Sequence, residues 1–106
     1  MFFTRTQSIT PEDAQRRLKA GEIVLVDVRE PSEVAAGRVK GALTIPLGEL
    51  PRHLPELQRG KPVAFLCRSG ARSARATKAA AKAGLDAMNV TGGISAWERA
   101  GLPVKH

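Results

Sequence analysis

The stretch that decides the fold is PVAFLCRSGARSARATKAAAKA, residues 62–83. Its opening, Pro62-Val63-Ala64-Phe65-Leu66, is a short apolar run without polar alternation, the pattern of a strand buried on both faces. It runs straight into Cys67, then through a loop bearing Gly70, then into an alanine-rich segment from Ala71 to Ala83 that Gly84 closes. Alanine is the strongest helix former and glycine a preferred helix stop, so 71–83 is expected as a helix. Ala74, Ala76, Thr77, Ala80 and Ala81 are small enough to let that helix lie close against a sheet.

The alternation continues in both directions. Upstream, Ile23 to Val28 reads as another buried strand, preceded by a helix start with Thr10 as N-cap and Pro11 at its first position. Gly21 ends that helix. Pro31 to Ala36 makes a short helix closed by Gly37, and Ala42 to Ile45 a short strand stopped by Pro46. Leu47 to Leu57 is a helix-rich connection broken by Pro51 and Pro55. Downstream come a strand at Ala87–Val90, a tight turn at Thr91-Gly92-Gly93, and a helix from Ile94 to Ala100. Strand and helix alternate, so the expected class is α/β: a mainly parallel sheet with helices on both faces.

At 106 residues the chain suits one domain, 1–106, with a real core. Its 42% hydrophobic and 25% charged residues argue against disorder. A single cysteine excludes a disulfide framework and a zinc site of paired thiolates, and His53 and His106 leave little for any other metal site. No apolar run approaches the roughly 20 residues of a membrane span, and the N-terminus lacks a signal-peptide core. The expectation is a soluble cytoplasmic chain with no membrane partner.

The net charge of +7 is concentrated. Between Leu57 and Leu85 lie Arg59, Lys61, Arg68, Arg72, Arg75, Lys78 and Lys82 and no Asp or Glu, while the remainder carries ten charges of each sign. The whole excess surrounds Cys67, where a positive potential gathers anions and favours a thiolate. Arg75, Lys78 and Lys82 also fit a merely solvated helix face. A stacking surface for nucleic acid is not expected, since the chain has only four aromatics, Phe2, Phe3, Phe65 and Trp97.

Ligands of open parallel sheets bind beyond the carboxyl ends of the strands, which is where Cys67 falls. Gly70 permits a tight curve in which the N–H groups from Arg68 to Ser73 point inward, joined by the N-terminus of the following helix. A cysteine facing such a ring has its pKa lowered from about 8.5 into the range of roughly 3.5–7.5. Arg68 or Arg72 then serves as charged donor to an anionic substrate. The competing reading is an inert buried cysteine, but flanking arginines suit an apolar pocket poorly. Arg72 stands five positions after Cys67, with Ser73 at the sixth. Cysteine phosphatases carry their loop arginine at that sixth position, so this loop is shorter and its bowl narrower. It suits a small electrophile, such as a single sulfur atom. Neither histidine is placed near Cys67 as a base, and sulfur transfer needs none.

The sequence resembles a single-domain rhodanese, a sulfurtransferase, in three stretches. Leu25 to Glu30 with Glu33 and Gly37, continued by Gly41 to Pro46, resembles the first signature of that family. Cys67-Arg68-Ser69-Gly70-Ala71-Arg72-Ser73 is similar to its active-site loop, and Gly92-Gly93-Ile94-Ser95-Ala96-Trp97 through Pro103 to its closing signature. One departure is Arg38, where the family commonly has histidine; a local packing or surface effect is expected there. The resemblance implies a five-stranded sheet, no cofactor and no metal. It implies Cys67 as nucleophile, residues 68–73 as the substrate-binding loop, and Asp27 close behind that loop, bonded to its N–H groups or to an arginine. Arg29 and Glu33, spaced i, i+4, are expected to pair and steady the loop after their strand. Trp97 is expected in the core or pocket wall and His53 at the surface. Two functional readings follow: a sulfurtransferase moving sulfur from a small anionic donor such as thiosulfate to a thiol acceptor, or a persulfide carrier acting with a partner protein.

Overall fold

The computed structural model describes residues 7–57 and 60–106; Arg59 of the basic segment lies outside them. Five strands form one sheet: β1 (Gln7–Ile9), β2 (Val24–Asp27), β3 (Leu43–Thr44), β4 (Val63–Leu66) and β5 (Ala87–Val90). Their spatial order is β1-β5-β4-β2-β3, and every neighbouring pair runs parallel. The helices are α1 (Pro11–Lys19), α2 (Pro31–Ala36), α3 (Leu50–His53), α4 (Ala71–Lys82) and α5 (Gly93–Arg99). Short 3-10 turns at Leu47–Glu49 and Leu54–Leu57 flank α3, in the proline-broken connection.

The reasons for these elements are local. Thr10 Oγ1 accepts the Asp13 N–H at 3.1 Å, capping α1 as its sequence demands. Strands β2 and β4 are apolar on both faces because both faces are covered. On one side Val26, Val63 and Phe65 pack with Leu50, Leu57, Ala76 and Ala80. On the other, Leu25, Ala64, Leu66 and Val90 pack with Ala14, Ile94 and Trp97. Successive residues of β4 thus serve opposite cores, as the two-residue period of a strand requires. Trp97 is fully buried and donates its indole N–H to Pro103 O at 3.1 Å.

Two strands differ from expectation. Strand β1 gives no sequence signal of its own: two of its three residues are exposed, and it exists because β5 offers a parallel edge to pair with. Strand β3 is only two residues long, with Ile45 donating its N–H to Asp27 O just beyond it. Arg38 forms a small antiparallel bridge with Lys105, so its effect is local, tying the chain end to the segment after α2. Among the described residues no helix is long and apolar enough to cross a membrane.

Candidate active site

Strand β4 is the middle strand of the sheet, and Cys67 is the first residue past its carboxyl end. The chain then turns through Gly70, at φ 111°, a left-handed conformation that a side chain would strain, and enters α4 at Ala71. The turn wraps the loop around the sulfur. Cys67 Sγ receives the Gly70 N–H at 3.1 Å and the Ser73 N–H at 3.4 Å, and lies 3.2 Å from Ser73 Oγ. Burial pushes the thiol pKa up, but hydrogen bonding with the Ser73 side chain and with the N–H groups of Ser73, Gly70 and Ser69 outweighs it, leaving the pKa below its ordinary value. The residue is only 1% exposed, so the sulfur lies at the floor of the ring. Arg68, Ser69 and Ala71 are exposed around it.

The end of β5 and the turn that follows it hold the ring from behind. The turn after β5 delivers the Ile94 N–H to Cys67 O at 2.8 Å and the Ser95 N–H to Arg68 O at 3.0 Å. With these carbonyls bound outside, the N–H groups of the loop are free to face inward. Gly93 makes that approach possible, since a Cβ there would stand 2.5 Å from both carbonyl oxygens. Asn89, on β5, donates from Nδ2 to Gly70 O at 3.2 Å and accepts the Ser73 hydroxyl on Oδ1 at 2.6 Å. Sequence reasoning passed over Asn89; its one visible signal is that it is the polar interruption in the apolar run Ala87–Val90.

The arginines are placed differently from expectation. Arg72 turns its guanidinium to Glu33, with Nη1 and Nη2 donating to the two carboxylate oxygens at 2.6 and 2.9 Å. This bidentate pair pulls the Glu33 pKa down to about 2 and raises that of Arg72. Glu33 therefore does not form the expected carboxylate pair with Arg29. The Arg29 guanidinium is buried instead against Asp27, donating from Nε and Nη2 at 3.0 and 2.8 Å, and it also holds Gly37 O at 2.7 Å and Glu33 O at 3.3 Å. Of the two partners foreseen for Asp27, the arginine is the one found. Every hydrogen bond its carboxylate makes among the described residues comes from Arg29. A relay Asp27–Arg29–Glu33–Arg72 thus joins β2 and α2 to the loop.

Arg68 remains exposed with no ion pair among the described residues, at the rim of a hollow of about 130 Å³ that Glu98 and His106 also line. His53 is half-buried and meets Glu56 at 3.2 Å, and His106 meets Ala36 O at 2.9 Å. Among the described residues no cluster of three or more His, Cys, Asp or Glu could hold a metal ion.

The Rhodanese-like domain family matches residues 10–100 of this chain. A sulfurtransferase of Allochromatium vinosum is 38% identical over 92 residues, covering 86% of this chain and 86% of that protein. The solved structure of a rhodanese-related protein from Thermoplasma volcanium superimposes with a TM-score of 0.86 at 35% identity, covering 93% of this chain and 97% of that one. A solved structure from Rhodopseudomonas palustris, described as a protein of unknown function and possible tyrosine phosphatase, superimposes with a TM-score of 0.87 at 29% identity. That match covers 99% of this chain and 98% of the other.

Proposed function

The chain belongs to the rhodanese family, and from that premise we propose that residues 1–106 form one sulfurtransferase domain working through a persulfide on Cys67. The Cys67 thiolate attacks the outer sulfur of thiosulfate or a related donor. A new S–S bond forms, the donor's own S–S bond breaks, and sulfite departs with its electron pair. The thiolate of an acceptor, or cyanide, then attacks the outer sulfur of the persulfide, and Cys67 leaves again as a thiolate. Both halves are nucleophilic displacements needing no cofactor. The loop N–H groups hold the negative charge at each stage, with Arg68 at the mouth to meet an incoming anion.

The observation that carries this reading is the ring of N–H groups on Sγ at 3.1 and 3.4 Å. Its small span supports a single sulfur atom as electrophile over a phosphoryl centre. The engagement of Arg72 by Glu33 weighs the same way, because a phosphatase loop needs its arginine free to clasp phosphate oxygens. Intact-mass measurement after incubation with thiosulfate tests the scheme. The expected result is a gain of one sulfur atom that cyanide removes and that Cys67→Ser abolishes along with turnover, the fold being retained. Turnover surviving in Cys67→Ser overturns it.

A second reading is a persulfide carrier that takes its sulfur from a partner protein and turns over free thiosulfate poorly, favoured by the exposed basic side chains of Arg68 and, on α4, Arg75, Lys78 and Lys82, which an acidic surface of a partner would meet. Steady-state rates with the two donor types separate the readings: transfer from a protein persulfide far outpacing thiosulfate supports the carrier.

A further inference from the structure

Ser73 has one hydroxyl proton and two neighbours that can claim it. Its Oγ lies 2.6 Å from Asn89 Oδ1 and 3.2 Å from Cys67 Sγ. The Asn89 carboxamide has one orientation available, because Nδ2 is spent on Gly70 O. The atom it turns to Ser73 is therefore its oxygen, an acceptor only. With Cys67 as a thiol every group is satisfied: S–H donates to Ser73 Oγ, and Ser73 O–H donates to Asn89. Removing the thiol proton breaks this order. The sulfur becomes an acceptor, and the hydroxyl must either turn to it, stripping Asn89 Oδ1 of its donor, or stay and leave the sulfur to the backbone N–H groups.

We propose that Asn89 is a positioning residue that competes with Cys67 for the Ser73 hydroxyl proton, so that the sulfur gives up its own proton less readily than the ring around it would otherwise allow. The benefit is chemical. A thiolate held too strongly is a weak nucleophile, since nucleophilicity falls with the proton affinity of the sulfur. Asn89 thus balances the fraction of Cys67 that is ionised against the reactivity of the ionised form. The same side chain fixes Gly70 O, so the ring and the hydroxyl are set together from one point on β5. The proposal concerns ionisation alone and stands apart from which donor or acceptor the protein uses.

The ultraviolet absorbance of the thiolate, followed against pH, tests it. The chain has one cysteine and no tyrosine, so that signal is unobscured. Asn89→Ala is expected to lower the titration midpoint by roughly half a unit, or ~3-fold more thiolate at a pH below the midpoint. In a Ser73→Ala background that fall is expected to vanish, the lost contact to Gly70 O leaving at most a rise. A merely structural role acts the other way, because a slackened loop withdraws N–H groups from the sulfur and raises the midpoint. A rise, no shift, or an equal fall with and without the Ser73 hydroxyl overturns the proposal. If circular dichroism finds Asn89→Ala unfolded, Asn89→Asp decides. Its carboxylate grips the hydroxyl more tightly and raises the midpoint, by less once Ser73 is alanine; an equal rise in both backgrounds leaves only its charge and sinks the idea.

Discussion

Arg72 gives two guanidinium nitrogens to Glu33, so one positive charge of the loop is answered before any substrate arrives. The pairing has a pH signature. Glu33 titrates near 2 in the folded chain against an ordinary 4.5, so its stabilisation is complete above 4.5 and is lost as pH falls toward 2. Glu33→Gln is expected to flatten part of the decline in thermal midpoint over that window; an unaltered curve removes Glu33 from acid stability. Asp27 is a stronger case, since Asp27 and Arg29 are 1% and 2% exposed. Asp27→Ala leaves a buried guanidinium without its carboxylate and is expected to cost about 3–5 kcal/mol in urea unfolding. A cost below about 1 kcal/mol places that pair in effect at the surface. That Asp27 would be paired was legible because an acid ending an apolar run needs a partner. The exchange of partners was not: Arg29 and Glu33 are four residues apart, whereas Arg72 is 39 residues from Glu33. A helical spacing rule has no means of seeing that competitor.

The turn from β5 into α5 is built into the loop around Cys67, to whose carbonyls it is hydrogen-bonded. Gly93 adopts φ +61°, and a methyl group there meets the carbonyl oxygens of Cys67 and Arg68 at 2.5 Å, with no flexible side chain to give way. Gly93→Ala is expected to cost roughly 2 kcal/mol or more and to slow sulfur transfer by displacing the N–H ring. Near-native stability and turnover in that variant remove the turn from the site. Elements with strong internal signals were readable: α1 from its cap, α4 from its alanines, β2 and β4 from unbroken apolar runs. Strand β1 was not, because Gln7 and Ser8 are exposed and only pairing with β5 makes the segment a strand. The curl of the loop around the sulfur was legible in outline through Cys67 and Gly70, whereas the turn of Arg72 to Glu33 was not. Nor was the loop's support by Asn89, since nothing in an isolated strand tells which loop its polar residue will face.

Across the whole molecule, charge and layering agree. The two cores fix the sheet from both faces, and the strand at its centre ends at the sulfur. Outward on α4, Arg75, Lys78 and Lys82 are exposed and make no ion pair among the described residues. The positive potential they contribute is open to solvent and weakens with added salt. The recess in which Cys67 sits also bears on oxidative damage. Peroxide turns a reactive thiolate into a sulfenic acid, which other proteins commonly rescue by forming a disulfide with a nearby cysteine. This chain has no second cysteine, and two copies cannot bring sulfurs at the floors of their bowls to the ~2 Å of an S–S bond. Peroxide-treated protein is therefore expected to stay monomeric on a non-reducing gel and gain oxygen by mass, and a disulfide-linked dimer contradicts this. An oxidised copy depends on a slender thiol from solution and, without one, proceeds to the irreversible acids.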